Sequence, residues 1–323
     1  MDITTLVPAD LDLDLAADLA TVHDAALEDV PIPRYTAESI LMDLARADDG
    51  PSMLWVARDR GLRGGVVVGF GMLTEPEHEY TDAAFLGGAV APSHQRQGVG
   101  RALLEAILTG TDRPLLRARA YRGTAGAAVL PAWRFRRTMT HAVRRLDVID
   151  SPERAALRAT VLAASADYDL ERRVGPTPEA DLAEMVVLRE AINDAPDAHE
   201  YEAYPPERIR EYEKSLLDRR QTQHKVVARH RASGEPAGIT MVCVPDLRPE
   251  IAAQEDTSVL PLHRGRRLGL RLKLDMLDWL RDERPDVRAT DTWNDATNGP
   301  MIAVNQALGA RIVAENSAYR RVH

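Results

Sequence analysis

The apolar residues of the chain recur with helical spacing in some segments and form strand-like runs in others. Near the start of each half, apolar positions lie three or four residues apart: Leu15, Leu19, Val22 and Ala26 in the first, and Leu182, Met185, Leu188 and Ile192 in the second. This period predicts an amphipathic helix in both places. A second helix is predicted over 37–47 in the first half and over 206–218 in the second.

Short runs rich in apolar and β-branched residues follow these helices and predict a strand hairpin in each half. The first hairpin comprises "MLWVARD" and "VVVGFGML", and the second comprises "KVVARH" and "AGITMVCV". Another strand, a loop rich in glycine and arginine, and a helix come next. The predicted apolar face of that helix is Leu103, Leu104, Ile107 and Leu108 in the first half, and Leu270, Leu274, Leu277, Trp279 and Leu280 in the second. Strands and helices in this order predict a mixed sheet of the α/β or α+β class.

The second half repeats the first at an offset near 169 residues, as between Gly69 and Gly238. The same offset relates "YTAESI" to "YPPERI" and "VAPSHQRQGVGRALLEAIL" to "VLPLHRGRRLGLRLKLDML". Matches in one order at a nearly constant offset indicate two copies of one domain. We therefore predict domains over 1–150 and 165–323, joined by a linker at 151–164 and packed together as a pseudo-dimer.

Composition narrows the class of protein. The length of 323 residues suits two domains of about 150 residues each. The net charge of −9 makes the surface acidic, which argues against nucleic acid as a partner. No run approaches the ~20 apolar residues of a membrane span, and no signal-peptide layout or metal-ligand spacing is present. Because Cys243 is the single cysteine, no disulfide can form within the chain, and a cytoplasmic protein without a membrane or metal partner is expected.

The loop in the first half has the chemistry of a phosphate site. Gly98 and Gly100 allow the backbone to turn tightly and to approach a ligand without a Cβ in the way. The helix that starts near Val99 presents its free N–H groups and the positive end of its dipole to whatever lies in front of it. Arg96 and Arg101 add positive charge beside those groups. The loop therefore predicts binding of a phosphate or pyrophosphate after a strand.

Three types of glycine-rich loop compete for this stretch. The spacing does not fit the G-x-G-x-x-G of a dinucleotide fold, and no lysine stands where a GxxxxGK[ST] loop needs one. Val90-Ala91-Pro92, followed by Gln95-x-x-Gly98-x-Gly100, instead matches the V-x-P and Q/R-x-x-G-x-G/A motifs of the GNAT superfamily of acyl-CoA-dependent acyltransferases. The chain resembles that superfamily over nearly its whole length, and its tandem arrangement is similar to that of mycothiol synthase-like bacterial acetyltransferases.

The resemblance implies that the loop amides bind the pyrophosphate of coenzyme A. In the first half, the implied cofactor-binding residues are Val90, Gln95, Arg96, Gln97, Gly98, Val99, Gly100 and Arg101. In the second half they are Val259, Arg264, Gly265, Arg266, Arg267, Leu268 and Gly269, with Asn294 and Asn298 after the next strand. The resemblance also implies a bulge around Val90 or Val259, which splays the sheet and offers a backbone N–H to the thioester carbonyl.

The second half departs from the family pattern at two positions. Arg267 stands where the middle glycine of the loop is expected, so pyrophosphate binding has less support in that half. Asn305 stands where the family often has a tyrosine that gives a proton to the leaving thiolate. The first half has no such tyrosine either, and the proton donor is therefore open in both halves.

Acyl transfer to an amine requires a group that accepts the proton of the amine. Glu255, four residues before Val259, is expected on the reaction side of its strand because positions an even number apart share a face. Asp256 is expected to face the other way unless the bulge resets the register. The matching position of the first half is Leu86, so we predict that the second half is catalytic, with Glu255 as base and Tyr319 as a candidate proton donor. A solvated strand residue is the alternative interpretation of Glu255.

The resemblance implies an enzyme that transfers an acetyl group from acetyl-CoA to a small-molecule amine by direct attack in a ternary complex. A different acyl donor, or an amine of a peptide or protein, is the alternative among enzymes. A catalytically silent acyl-CoA-binding protein is the alternative outside enzymes, because neither half has the usual tyrosine. The expected assembly is a monomer that contains the pseudo-dimer, or a homodimer.

Overall fold

The structure is a computed structural model that describes residues 1–44, 50–59, 61, 65–194, 201–295 and 297–323. Its contacts divide the chain into two compact units. The first unit comprises Met1–His141 and Ala314–His323, and the second comprises Ala142–Val313. Residues 151–164, predicted as a linker, form a capped helix inside the second unit. Within the described part of the chain, no helix has both the length and the apolar character needed to cross a membrane.

The first unit is a mixed sheet with helices on both faces. Its helices are α1 (Leu13–Ala26), α2 (Ala37–Leu44), α3 (Val99–Leu108) and α4 (Ala125–Ala132). Its strands are β1 (Asp2–Leu6), β2 (Ser52–Asp59), β3 (Val66–Thr74), β4 (Ala83–Val90) and β5 (Leu115–Tyr121), with the start of β6 (Arg136–Asp147) and most of β12 (Arg311–Val322). The strand order is β1-β2-β3-β4-β5-β12. Positions 45–47 of the predicted second helix lie outside the described residues.

The second unit repeats this plan. Its helices are α5 (Pro152–Ala164), α6 (Leu182–Glu190), α7 (Pro206–Asp218), α8 (Leu268–Glu283) and α9 (Gly299–Ala307). Its strands are the end of β6, β7 (Tyr168–Val174), β8 (Gln221–His230), β9 (Pro236–Pro245), β10 (Ile251–Val259) and β11 (Ala289–Asp295). The strand order is β6-β11-β10-β9-β8-β7. The predicted mixed α/β class is confirmed in both units.

Local sequence signals begin several of these helices. The carboxylate of Asp12 accepts a hydrogen bond from the Leu15 N–H at 2.8 Å and caps α1. Ser151 caps α5 in the same way, and its residue type is among the preferred N-caps. The apolar stripes then bury these helices against the sheet, with α1 and α2 on one face and α3 and α4 on the other. The predicted apolar faces of α3 and α8 are confirmed, since Ile107 and Leu274 are each 4% exposed.

Two parallel strands part at the centre of each sheet. In the first unit, β4 and β5 pair from Ala83–Leu115 as far as Leu86–Ala118. In the second, β10 and β11 pair from Ile251–Ala289 as far as Ala253–Asp291. Beyond these pairs the strands of each couple are no longer bonded to one another, so each sheet has an opening beside the end of its middle strand. The opening lies next to the glycine- and arginine-rich loop of its unit.

Candidate active site

The loop of the first unit carries two residues with left-handed backbone conformation. Gly98, the N-cap of α3, has φ 88° and ψ −8°, and Arg96 has φ 61°. The Gln95 side chain donates to the carbonyl of Val90 at 3.0 Å, which ties the loop to the end of β4. Gln97 donates to the Ser93 carbonyl at 2.8 Å. Both glutamines therefore shape the loop, and the group that faces an incoming anion is the backbone.

The loop of the second unit has the same backbone path. Arg267, the N-cap of α8, has φ 55° and ψ 21°, and Gly265 has φ 78°. Arg264 takes the part of Gln95, since its Nε donates to the Val259 carbonyl at 2.9 Å. The same guanidinium forms an ion pair with Asp194 at 2.7 Å. Arg264 is therefore a residue that closes the loop.

Glycine and arginine exchange places between the two loops. In the first, the earlier left-handed position is Arg96 and the later is Gly98; in the second, the order is Gly265 and then Arg267. A non-glycine residue in this conformation costs about 1 kcal/mol, a small amount beside the energies of a folded domain. The arginine at the later position of the second loop consequently leaves the N–H groups at the start of α8 in place.

The space in front of both loops accommodates a ligand that approaches the backbone. A Cβ built at Gly98 or at Gly265 would meet no atom of the described residues within 4 Å. Val99 and Leu268, the first residues of α3 and α8, are 6% and 2% exposed, so their side chains anchor the helices and only their backbone can face a ligand. Arg101 forms an exposed ion pair with Glu105 at 2.9 Å.

The other predicted loop residues keep the helix starts in place. Gly100 packs at the tip of the Trp133 ring, where a Cβ would come within 3.4 Å of the ring. A Cβ built at Gly269 would lie 3.8 Å from the Val259 side chain. The guanidinium of Arg266 lies 3.6 Å from the carboxylate of Asp167. These contacts, with the free space at the two loop glycines, fit the pyrophosphate of an acyl-CoA at either helix N-terminus.

A bulge interrupts the middle strand of the second unit. The pairing of β10 with β9 shifts register between Gln254 and Thr257, so Glu255 and Asp256 together lie opposite the single residue Met241. The bulge predicted around Val259 is therefore placed four residues too late. In the first unit β3 and β4 pair without a shift from Gly69–Val90 to Thr74–Phe85, and the bulge predicted around Val90 is wrong.

The bulge puts two carboxylates on the α6–α7 side of the sheet. Glu255 accepts hydrogen bonds from the Tyr212 hydroxyl on α7 and from Gln223 Nε2 on β8, the latter at 2.8 Å. Asp256 lies 3.2 Å from the guanidinium of Arg189 on α6. The expectation that Asp256 faces the opposite side holds only for a regular strand, and the bulge reverses it.

The two carboxylates differ in how their charge is balanced. Burial by itself would lower the pKa of Arg189, but Asp256 together with Tyr204 and Glu255 outweighs this and holds that pKa above its usual value. Arg189 therefore stays charged and neutralises Asp256. Glu255 also contributes to the raised pKa of Arg189, and its hydrogen bonds from Tyr212 and Gln223 come from neutral donors.

The corresponding position in the first unit is a glycine. Leu86 pairs with Leu73 just as Gln254 pairs with Val242, so Leu86 matches Gln254 and the sequence comparison of Leu86 with Glu255 is wrong by one residue. Gly87 follows Leu86 where the second unit has both Glu255 and Asp256. A one-residue insertion inside a repeat is hard to detect because matches on both sides of it remain in order.

The structure does not bring the two candidate catalytic residues into one unit. Glu255 belongs to the second unit, whereas Tyr319 belongs to the part of β12 that lies in the first. Tyr319 pairs with Ala118 and is 6% exposed within the apolar cluster around α3. These contacts place Tyr319 in the core of the first unit, so we do not retain it as a proton donor for the second.

The predicted asparagines lie at the far side of the opening. Asn298 accepts a hydrogen bond from the Met301 N–H at 3.2 Å and caps α9. Asn294, near the end of β11, accepts one at 2.7 Å from the amide of Asn305. Asn305 is fully buried and accepts a hydrogen bond from Lys273 at 2.7 Å, so it is part of the interior.

Sequence reasoning missed several polar residues of the second unit. Lys273 lies three residues after Leu270 and four before Leu277, on the predicted apolar face of α8, and a charged residue at such a position is a signal that would have identified it. Arg189, Tyr212 and Gln223 gave no such signal, because arginine, tyrosine and glutamine at those positions also fit exposed helix and strand positions.

Comparison with known proteins agrees with these geometries. The acetyltransferase (GNAT) family model matches residues 19–113. No curated protein matches the sequence. A tandem GNAT protein from the clavulanic acid biosynthesis pathway, determined without AcCoA, is 25% identical, with 99% of this chain and 98% of that chain covered and a TM-score of 0.80.

A second solved structure supports the fold alone. The GCN5-related N-acetyltransferase from Sphaerobacter thermophilus is 15% identical, with 99% of this chain and 95% of that chain covered and a TM-score of 0.67. The family match and the tandem GNAT structure are the comparisons that bear on function. Residues 19–113 match the GNAT acetyltransferase family, and the chain is similar over its whole length to a tandem GNAT protein, which supports an N-acyltransferase.

Proposed function

We propose that the second unit transfers the acetyl group of acetyl-CoA to the nitrogen of a small-molecule amine, with Glu255 as general base. The observation that carries this proposal is the bulge, which sets Glu255 beside the opening with Tyr212 and Gln223 as neutral hydrogen-bond donors. A carboxylate in hydrogen-bond reach of a bound amine can accept its proton during acyl transfer. The tandem GNAT protein of the clavulanic acid pathway supports a small molecule as acceptor in place of a peptide or protein.

Different residues of the second unit bind the coenzyme, polarise the thioester and accept the proton. Acyl-CoA supplies an activated thioester. The N–H groups at the start of α8 hold its pyrophosphate, and the bulged backbone of β10 can donate an N–H to the thioester carbonyl. Glu255 accepts the proton of the amine, while Tyr212 and Gln223 fix the direction of its carboxylate.

Direct transfer is favoured over a covalent acyl-enzyme. Cys243 is the single cysteine of the chain, and burial raises its pKa to about 12. A thiol with such a pKa is a poor nucleophile near neutral pH. We therefore propose a ternary complex in the cytoplasm, in which the amine attacks the thioester itself.

We assign the first unit a binding and structural role. Its loop has the same backbone path as the second loop, which supports acyl-CoA binding. Its middle strand has Gly87 where the second unit has two carboxylates, so it offers no base at that position. The alternative is a protein in which neither unit is catalytic and both bind acyl-CoA.

Glu255→Gln tests the assignment. The variant keeps the size of the side chain and its contacts with Tyr212 but removes the base, so turnover is expected to fall by about 10²–10⁴-fold. The measurement is thiol release from acetyl-CoA over a panel of amines, beside the affinity for coenzyme A. Glu250→Gln, the same change at an exposed position just before β10, is the matched control.

Three results decide between the alternatives. Loss of turnover in Glu255→Gln with unchanged coenzyme A affinity supports the proposal. Full turnover in this variant would remove Glu255 from the mechanism. Tight coenzyme A binding by the unaltered protein without thiol release for any amine would favour the silent acyl-CoA-binding protein.

A further inference from the structure

A lysine lies inside the second unit with an amide as its hydrogen-bond partner. Lys273 on α8 is 2% exposed and donates to Asn305 Oδ1 at 2.7 Å. The other buried lysine of this unit, Lys225, has a carboxylate partner, Glu213, at 2.9 Å. Burial lowers the pKa of Lys273 to about 7, and no charged group among the described residues offsets this effect. A buried amine without a counter-charge destabilises a fold, so its presence calls for a reason other than packing.

Lys273 is the first member of a directional chain of hydrogen bonds. Its amine donates to Asn305, so the oxygen of the Asn305 amide faces the lysine and its nitrogen faces away. That nitrogen donates to Asn294 Oδ1 at 2.7 Å. With its oxygen engaged in this way, Asn294 has an N–H donor left to present. The lysine thus fixes the orientation of two amides in sequence.

The chain of hydrogen bonds from Lys273 ends at the opening between β10 and β11. Asn294 lies in β11 three residues after Asp291, where the pairing of β11 with β10 stops. It contacts α9, whereas Glu255, on β10, contacts α7 on the other face. The two residues therefore approach the parted strands from opposite sides.

The first unit has apolar residues at the positions that correspond to Lys273, Asn294 and Asn305. Leu104 matches Lys273 at the repeat offset, and Ala120 matches Asn294 because β5 and β11 pair alike with the middle strands. Leu130 matches Asn305, since each carbonyl accepts a hydrogen bond from the N–H five residues later, at 3.0 and 2.9 Å. All three residues belong to one apolar cluster. These positions are therefore filled by apolar side chains in the first unit and by a hydrogen-bonded polar group in the second.

We propose that Lys273 and Asn305 are positioning residues, which orient the Asn294 amide so that it donates a hydrogen bond to a carbonyl oxygen of the bound acyl-CoA. This inference rests on the proposed binding of acyl-CoA by the second unit. It explains why a polar chain replaces apolar packing only where the bulge and Glu255 are also present. The ligand group is a carbonyl because the chain ends in a neutral N–H donor.

The test combines single and double variants. Lys273→Leu introduces the residue of the first unit, and we expect it to raise the KM for acetyl-CoA about tenfold with kcat changed less than about threefold, as for loss of one hydrogen bond. Asn294→Ala should give the same change. Because both act through one donor, the double variant should match Asn294→Ala alone. Lys214→Leu, at an exposed lysine of the same unit, is the matched control and should leave the KM unchanged.

Calorimetric affinity for coenzyme A provides a readout independent of turnover. If the unaltered protein releases no thiol, the proposed function fails, and the affinities of the same variants still test the positioning chain. An unchanged KM and affinity in Lys273→Leu would overturn the inference, as would effects of Lys273→Leu and Asn294→Ala that multiply. Should Lys273→Leu fold poorly, Lys273→Leu/Asn305→Leu restores the apolar packing of the first unit and answers the same question.

Discussion

The two units have loops of the same shape and middle strands of different shape. At the loops, Gly98 of the first unit and Arg267 of the second both cap a helix in the left-handed conformation. At the strands, β4 pairs with its neighbour without a shift, whereas β10 contains the bulge of Glu255 and Asp256. The loop motif is therefore a poor guide to which unit is catalytic. Under the proposed function, the one additional residue in β10 is the better guide.

This contrast separates two requirements of acyl transfer. A helix N-terminus binds an anion through backbone groups, and such groups tolerate exchange of the side chains around them. A general base has to be a particular side chain in a particular place. Repetition of a domain preserves the first property easily, and a single inserted residue is enough to make the copies differ in the second.

Deletion of Asp256 gives the strongest test of the contrast, because it gives β10 the length of β4. We expect a loss of turnover greater than about 10²-fold, since the bulge that presents Glu255 is removed. The unfolding free energy should also fall by about 1–3 kcal/mol, because the largely buried Arg189 loses its half-buried carboxylate partner. Thiol release and urea denaturation measure the two effects.

A second change separates these effects. Arg189→Met in the deletion variant removes the unpaired charge, so most of the stability should return while turnover stays low. If the deletion variant retains full turnover, the bulge is not what distinguishes the two units.

The buried lysine predicts a pH dependence that the apolar packing of the first unit would lack. Lys273 releases its proton near pH 7 in the folded protein, while the unfolded chain holds it up to about 10.5. The unfolded state binds more protons across this window, so Lys273 makes the unfolding free energy rise with pH there, by at most about 1.4 kcal/mol per pH unit.

The measurement compares the protein with Lys273→Leu/Asn305→Leu by urea denaturation at several pH values between 7 and 10. The variant should be the more stable at pH 7, and its advantage should shrink as the pH rises. An advantage that stays constant with pH would show that Lys273 keeps its proton in the folded state throughout this range, and would contradict a lowered pKa.

The smallest expected effects concern the loops. Arg267→Gly relieves the left-handed strain and should raise the unfolding free energy by about 1 kcal/mol, and Gly98→Ala should lower it by about 1 kcal/mol. Affinity for coenzyme A should change less than about twofold in both, because the backbone N–H groups remain. Arg267→Ala keeps a Cβ and is the control, so an equal gain in that variant would contradict the role of backbone strain.

Much of the fold could be predicted from the sequence, because its signals are local. Helical spacing around Ile107 and Leu274 identified the buried faces of α3 and α8, and the repeat identified two copies of one plan. The loop motif predicted the left-handed turns at Gly98 and Gly265, because glycine there reports directly on backbone geometry. All of these depend on residues close together in the chain.

The missing parts depend on contacts between distant residues. The bulge at Glu255 is visible only when the pairing of β10 with β9 is known, since one inserted residue leaves the repeat nearly unchanged. Lys273 could be understood only once Asn305 was placed beside it. Tyr319 was assigned to the wrong unit because the chain alone does not tell which sheet its last strand joins.

The position of β12 has a consequence for how the protein is made. Residues 314–323 complete the sheet of the first unit along the whole of β5, from Asn316–Tyr121 to Val322–Leu115. The ribosome adds them only after the entire second unit, a delay of roughly 10–30 s at ordinary rates of synthesis. During that time β5 has an open edge, which is a site for mispairing with other chains. If the gene were divided between the two repeats, the first half would lack residues 314–323 and the edge of β5 would stay open. The two halves therefore have to be made as one polypeptide, even if only one of them is catalytic.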